Sequence, residues 1–487
     1  MNRHEYERLI QTCDEVLLHH LGQPEIIAVP MLHVMNGHPN STAKYRFAFS
    51  DRTIVQKLGV WFYQRAHLLY KLAQSLAADK HWYCHLHQAD IVFISHYVSA
   101  ANGEADFYYG RLPQFLAEKG LLTCSGLVDH TPGSKKGFGT AKSALFPKTL
   151  SFADEWRILK QRLYARRTLL RSKHQAADPA ARKIIGEAAI AALSPEAAAA
   201  LRIGSCVQRM LQHTGARHLV LTWEGWSWER LAVSMARDKH IQSIGYQHTI
   251  LFESSHSLKR SLGMQYDPDI VCTLGDITAG ILRNSGGLQH TKLVTYGSHR
   301  FSGTAICPEA VSENSCLVVP EGIEPEALLL FGFAVEIAKK QPSVRFIFRS
   351  HPVLPFQALA EKYQELKVLP ENCSLSTSPN INEDFKRSQF LLYRGSSVVL
   401  YAALHGLRPV YYQRPSELSI DPLFALNTDW RTVVCSEADF ASIIEKSQGL
   451  NMEQKDRLAR ETREFCMNYV CAPKQETFYE LVSSDIQ

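Results

Sequence analysis

The chain lacks the short motifs that announce the common nucleotide enzymes. No G-x-x-x-x-G-K-[ST] run occurs, which disfavours a P-loop NTPase. Gly103, Gly110, Gly137 and Gly139 make no G-x-G-x-x-G fingerprint at a strand–helix junction, which counts against a dinucleotide dehydrogenase. The 11 cysteines include no C-x-x-C pair and are odd in number. In a chain this long that argues for reduced thiols rather than a disulfide scaffold. No window approaches the roughly 18 apolar residues of a membrane span, and Met1 to His20 is charged, with no apolar signal core. A cytoplasmic location is therefore expected, with peripheral contact on the inner face of the membrane left open. The excess of one charge sign over the other is small too. A net charge of +5 is far from a nucleic-acid-binding extreme but suits a small anionic ligand or an anionic membrane surface. Repeats, heptads and low-complexity tracts are missing.

What is present is an alternation of short apolar runs with amphipathic stretches, the rhythm of βαβ units and parallel sheets. At 487 residues one core cannot serve the whole chain, so two domains are expected. Strand candidates in the first half are Glu25 to Met35, Asp90 to Ser95, Leu121 to Val128, His218 to Thr222 and Ile241 to Tyr246. Helical spacing covers Ile54 to Leu76 and Phe107 to Lys119. Residues 151–215 read as a helical insertion, rich in arginine and then alanine, broken by Pro179 and Pro195. The second half restarts with strand candidates Ile270 to Leu274, Lys292 to Tyr296, Cys316 to Pro320, Val344 to Phe348, Phe390 to Tyr393 and Pro409 to Tyr412. The expectation is an α/β chain of two Rossmann-like domains, residues 1–260 and 261–487, with a break near Ser257 to Pro268 and helices at the C-terminal end.

Four strand-end segments carry candidate chemistry, because ligands of open α/β sheets bind outside the carboxyl ends of the strands. In Trp223-Glu224-Gly225, Glu224 closes an apolar strand beside tryptophans, a half-desolvated setting suited to proton abstraction. Glu224, His248 and Glu229 are the catalytic candidates, and both glutamates have the competing reading of helix-capping acids. In Gln247-His248, the imidazole can bind an anion or orient Glu224. Arg349-Ser350-His351-Pro352 and Arg394-Gly395-Ser396-Ser397 pair an arginine fork with a histidine or hydroxyls, donors that fit phosphate oxygens. Serine also reads as an ordinary N-cap. His96, Asp129 and His130 lie where the first domain would meet an acceptor, or simply cap loops. His81, Cys84, His85 and His87 match no standard zinc spacing, so no metal is expected. The Arg157 to Lys173 helix reads first as a solvated face and second as a lipid-docking one.

Glu224-Gly225, His351-Pro352 and Ser396-Ser397 follow the order of the acidic-Gly, His-Pro and Ser-Ser/Thr motifs of bacterial sialyltransferases. Trp223 stands where that family has its first acid. Gln247-His248 resembles an element of transferases for 3-deoxy-manno-octulosonic acid (Kdo). The resemblance, carried by residues 220–412, is to glycosyltransferases that use CMP-activated ulosonic acids. It implies a GT-B fold, two Rossmann-like domains facing across a cleft. It implies His351, Ser396 and Ser397 on the CMP phosphate and Glu224 as the catalytic carboxylate, with Arg349, Arg394 or His248 on the sugar carboxylate. It implies a glycan or glycolipid acceptor and no required cofactor. A UDP-, GDP-sugar or polyol-phosphate transferase, and a non-catalytic subunit of a glycan-assembly complex, are the competing readings.

Overall fold

A computed structural model describes residues 1–97, 106–129, 139–301 and 314–483; His130 lies outside them. The first sheet comprises β1 (Ile91–His96), β2 (Thr123–Val128), β3 (Gly139–Thr140), β4 (Ser143–Leu145), β5 (His218–Thr222), β6 (Gln242–Tyr246), β7 (Ile270–Thr273) and β8 (Lys292–Thr295). Its order is β3-β4-β2-β1-β5-β6-β7-β8. Every pair is parallel except β3 with β4. The second sheet comprises β9 (Ser315–Val319), β10 (Arg345–Phe348), β11 (Cys373–Leu375), β12 (Phe390–Tyr393), β13 (Arg408–Tyr412) and β14 (Thr432–Val434). It is wholly parallel, in the order β11-β10-β9-β12-β13-β14. Each order reverses about a central pair, β1/β5 and β9/β12, which is the Rossmann arrangement. The fold is the expected α/β one, with two Rossmann-like sheets.

The central strands are buried on both faces, and their alternation sorts side chains between two layers. Val92, Ile94, Leu219 and Leu221 join the core beneath the helical layer of the first domain. Ile91, Phe93 and Val220 point the other way, into a core that also takes Leu317, Val319, Leu391 and Tyr393 of the second sheet. Cys316, Val318 and Leu392 pack beneath the outer helices of the second domain. The helical insertion is three helices, Phe152–Gln175, Pro179–Ala191 and Pro195–Thr214, between β4 and β5. At the far end, helix Met452–Tyr469 packs on helices Asp276–Asn284 and Val398–Leu404, from the two domains. The backbone after it bonds back to Leu274 and Tyr296.

Two expectations are corrected. Glu25 to Met35 is not a strand but two short turns, Pro24–Ile27 and Pro30–Leu32. Pro24 and Pro30 each open a turn, and a short apolar run has no periodicity to separate helix from strand. The domain break is also later than residue 260. β7 and β8 belong to the first sheet, so the two sheets part between Thr295 and Ser315. The polar segment Ser257 to Pro268 is instead a loop tied into the first domain. There Arg230, fully buried, pairs with Asp267 and donates to the carbonyls of Ser257 and Arg260.

His33 is wholly buried, and its tautomer follows from its partners. Arg260 Nη2 donates to Nδ1 at 3.0 Å, so Nε2 carries the proton and donates to the Ile27 carbonyl at 2.8 Å. Burial, then the charge of Arg260, holds its pKa well below that of a free histidine. His20, His67, His248, His299, His351 and His405 shift the same way, burial being the largest cause in each. The unfolded chain therefore binds more protons near neutrality. Stability is full above the unfolded histidine pKa of about 6.5 and is lost as pH falls below it. The melting temperature should fall steadily from about pH 7.5 to pH 5.5; a flat profile there contradicts the assignment.

Candidate active site

Sheet register brings the motifs together. Thr222 of β5 pairs with Tyr246 of β6, so two residues on Glu224 and His248 stand level. Phe348 pairs with Val318, and Tyr393 with Val319. Continuing those registers sets His351, Glu321 and Gly395 side by side outside β10, β9 and β12. A cavity of about 320 Å³ joins the two strand-end groups, with Glu224 and Trp226 on one wall, Glu321 and Gly395 on the other, and Asn36 and His38 beside them. Both switch points therefore open on the same space.

The Glu224 loop is built by its neighbours. Gly225 has φ +82° and passes close under the chain; a Cβ there would sit 2.6 Å from the Ser257 carbonyl oxygen. Ser257 Oγ donates to the Glu224 carbonyl at 2.5 Å. Glu224 Oε2 accepts from Trp226 Nε1 at 2.6 Å, while Oε1 faces His248 Nε2 at 4.0 Å, beyond direct hydrogen-bond reach. Gly225→Ala should cost about 1–3 kcal/mol in stability and lower turnover more than ligand affinity. An unchanged melting temperature and rate would show that the turn tolerates a side chain.

Glu229, grouped from sequence with the catalytic residues, is corrected to a positioning one. It is completely buried at the first turn of helix Ser227–Arg237. Its Oε2 accepts the backbone N–H groups of Glu224, Gly225 and Trp226 at 2.9, 2.7 and 2.9 Å. Burial and then the charge of Glu224 push its pKa well above the ordinary glutamate value, against the pull of those three donors.

His248 is held by the buried Gln247, whose amide donates to the Thr249 carbonyl and whose Oε1 accepts from the Leu274 N–H at 3.3 Å. Burial lowers its pKa, the Glu224 carboxylate opposes that shift, and Arg300 adds to it. The ring meets Tyr108 edge-on, and Tyr108 in turn contacts His96. His96 ends β1, its Nε2 3.2 Å from Thr222 Oγ1, so it belongs to the same cluster. Arg300 lies over Phe107 and Tyr108 and its Nη2 donates to the Phe107 carbonyl at 3.3 Å. Sequence reading missed it, since it lies outside any strand-end motif.

The second domain offers fewer free groups than its motifs suggested. Arg394 is buried, donating to Glu326 Oε2 at 2.7 Å, Glu417 Oε2 at 3.0 Å and the Tyr412 carbonyl. Arg349 donates to Asp384 Oδ2 at 2.5 Å, Ser376 Oγ and the Ser378 carbonyl. Arg394 is engaged on every side by acids distant in sequence and by that carbonyl, whereas Arg349 is held by Asp384 through Nη1 and keeps a partly exposed edge. The Asp129 side chain is likewise buried and pairs with Lys148 at 3.2 Å. His351 and Pro352 are exposed, and so is Ser397. Ser396 is buried and its Oγ accepts from the Val398 N–H at 3.4 Å. Gly395 has φ +30°, and a Cβ there would overlap Glu321 Oε1.

His38 and Glu321 are further residues that sequence reading missed. His38 Nδ1 accepts the Asn40 N–H, so Nε2 carries the proton and donates to both Glu321 oxygens at 3.1 and 3.2 Å, from one domain to the other. Two signals were there: a second His-Pro dipeptide, His38-Pro39, and an acid two residues past a central strand. The His81 and Cys84 side chains touch at 3.7 Å while His85 bonds the Ser143 carbonyl. Among the described residues no three metal-ligating side chains converge. Among those residues no single helix is long and apolar enough to cross a membrane.

No protein-family model matches the chain, and no curated protein sequence matches it. Solved structures do. CalG4, the calicheamicin glycosyltransferase, is 12% identical with a TM-score of 0.47 over 82% of this chain and 99% of that one. MurG of Acinetobacter baumannii is 10% identical with a TM-score of 0.45 over 81% and 99%. For a chain of the GtfA/B complex the values are 11% and 0.41, over 58% of this chain and only 60% of that one. Likeness at this level says nothing about donor or acceptor.

Proposed function

We propose that the chain is a glycosyltransferase that moves Kdo or a nonulosonic acid from its CMP-activated form to a glycan or glycolipid acceptor. The observation that carries this reading is one interdomain cavity, lined by Glu224 and Trp226 of the acidic-Gly loop and by Glu321 and Gly395 at the strand ends of the second sheet, with the His351 and Ser396-Ser397 segments adjoining it in sequence and register. The reaction breaks the bond between the anomeric carbon and the CMP phosphate oxygen. Negative charge grows on the phosphate, where His351 and the hydroxyls of Ser396 and Ser397 supply donors. Positive charge grows at the anomeric carbon opposite Glu224. Glu224 Oε1, the oxygen not held by Trp226, takes the acceptor hydroxyl's proton as the new glycosidic bond forms. With Arg394 engaged elsewhere, His248, with Arg300 near it, would meet the sugar's own carboxylate.

Glu321 fits this scheme through its partner. A carboxylate beside Gly395 would repel a nearby phosphate, and the His38 Nε2–H from the opposite domain holds that carboxylate in place by donating to both of its oxygens without cancelling its charge. Incubating the protein with a panel of CMP-ulosonates and sugar acceptors, and reading products by mass spectrometry, tests the proposal. Transfer from at least one CMP-ulosonate is expected. Transfer from UDP- or GDP-sugars alone would overturn the donor assignment.

A further inference from the structure

Helix Ile54–Ser75 reverses the rule that an amphipathic helix turns its apolar stripe inward. It spans 22 residues, and Ser75 is its only buried side chain. At 100° per residue Ile54, Leu58, Trp61, Phe62 and Leu69 fall on one arc, continued by Leu76 just past the end. That arc faces solvent: Phe62 is 62% exposed, Leu69 66% and Ile54 75%. The inward side is instead held by Gln64, which donates to the Ile190 carbonyl, and Lys71, which donates to the Lys148 carbonyl and Thr149. An exposed apolar stripe of this length, broken within its arc by Arg65, marks a docking surface rather than scattered surface hydrophobics.

Charge identifies the occupant. The helix carries Lys57, Arg65 and Lys71 and no Asp or Glu. Arg65 lies over the Trp61 ring at 3.6 Å. The helix packs on Phe152–Gln175, whose exposed face repeats the combination: Trp156, Leu163 and Tyr164 interleave with Lys160, Arg167 and Arg171. A second copy docking through this stripe would set cation against cation with no acid on the helix to answer it. Exposed leucine and phenylalanine, tryptophan and tyrosine beside them, and a basic flank are the features of a helix lying in a lipid headgroup layer.

We infer that helix Ile54–Ser75 seats the enzyme on an anionic lipid bilayer, with Leu58, Phe62 and Leu69 entering the headgroup–acyl boundary and the exposed Lys57 and Arg65, with the basic side chains of the neighbouring helix, meeting lipid phosphates. This surface stands independently of the donor chemistry. It begins thirteen residues after Ser41, a residue of the cavity wall, so the cleft and the seat share one stretch of chain.

The test is co-sedimentation of the full chain with phosphatidylcholine vesicles, with and without phosphatidylglycerol, comparing the parent with a Phe62→Glu/Leu69→Glu variant. Both side chains are exposed, so the variant's melting temperature should match the parent's. The parent is expected to bind the phosphatidylglycerol vesicles and to release as salt screens the charge. The variant should bind about tenfold less or weaker. Failure of the parent to bind either vesicle, or equal binding by the variant, overturns the inference. So does a parent dimer in solution that the variant dissolves, which would assign the stripe to a second copy.

Discussion

Glu224→Gln should leave a folded protein that binds its donor as before and transfers sugar about 10²–10⁴-fold more slowly, the range for loss of a positioned acid–base group. The substitution is close to isosteric. A glutamine carbonyl oxygen can still accept from Trp226 Nε1, the bond that now fixes Oε2, so the loop keeps its shape. What disappears is a carboxylate oxygen able to take a proton, on the side facing His248. Turnover should therefore fall while the Michaelis constant for the donor changes little. Because the Glu224 charge is among the causes acting on Glu229 and His248, the pH profile should move as well. A variant with parental turnover would remove Glu224 from the chemistry.

Glu229→Ala should be the most damaging change to the fold near the site. One carboxylate oxygen gathers three successive N–H groups, and alanine leaves all three without an acceptor. Each unsatisfied buried donor costs about 1–3 kcal/mol, offset in part by no longer holding a buried carboxylate. A net loss of about 2–4 kcal/mol is expected. Chemical denaturation of parent and variant measures it. Glu229→Gln retains one acceptor oxygen and should recover part of the loss. Equal stability of Glu229→Ala and the parent would mean that water or a rearranged loop satisfies the donors, and the positioning role would fall.

The parts of this molecule legible in its sequence are those fixed by burial. β5, β9 and β12 are apolar runs sealed on both faces, and each reads directly as a central strand. The three-residue strands β4, β11 and β14 give no such signal. Placement of the motifs at strand ends was legible too, since the Rossmann order and the register then carry Glu224 to His248 and His351 to Glu321. The targets of long side chains were not legible. Arg349 and Arg394 sit in motifs that suit a phosphate, yet Asp384, Glu326 and Glu417 capture them through contacts no local pattern encodes. The domain break was missed for a related reason. Ser257 to Pro268 has the composition of a linker, and only the buried Arg230–Asp267 pair shows that it is an internal loop.

The central claim is that the second domain grips a cytidine monophosphate across the cleft from Glu224. Calorimetric titration of the parent and a His351→Ala/Ser397→Ala variant with CMP, UMP and GMP addresses it directly. Both side chains are exposed, so the variant should fold normally. The account predicts binding selective for CMP, weakened about tenfold or more in the variant by loss of two phosphate donors. Equal affinity for the three nucleotides, or parental CMP affinity in the variant, would contradict it.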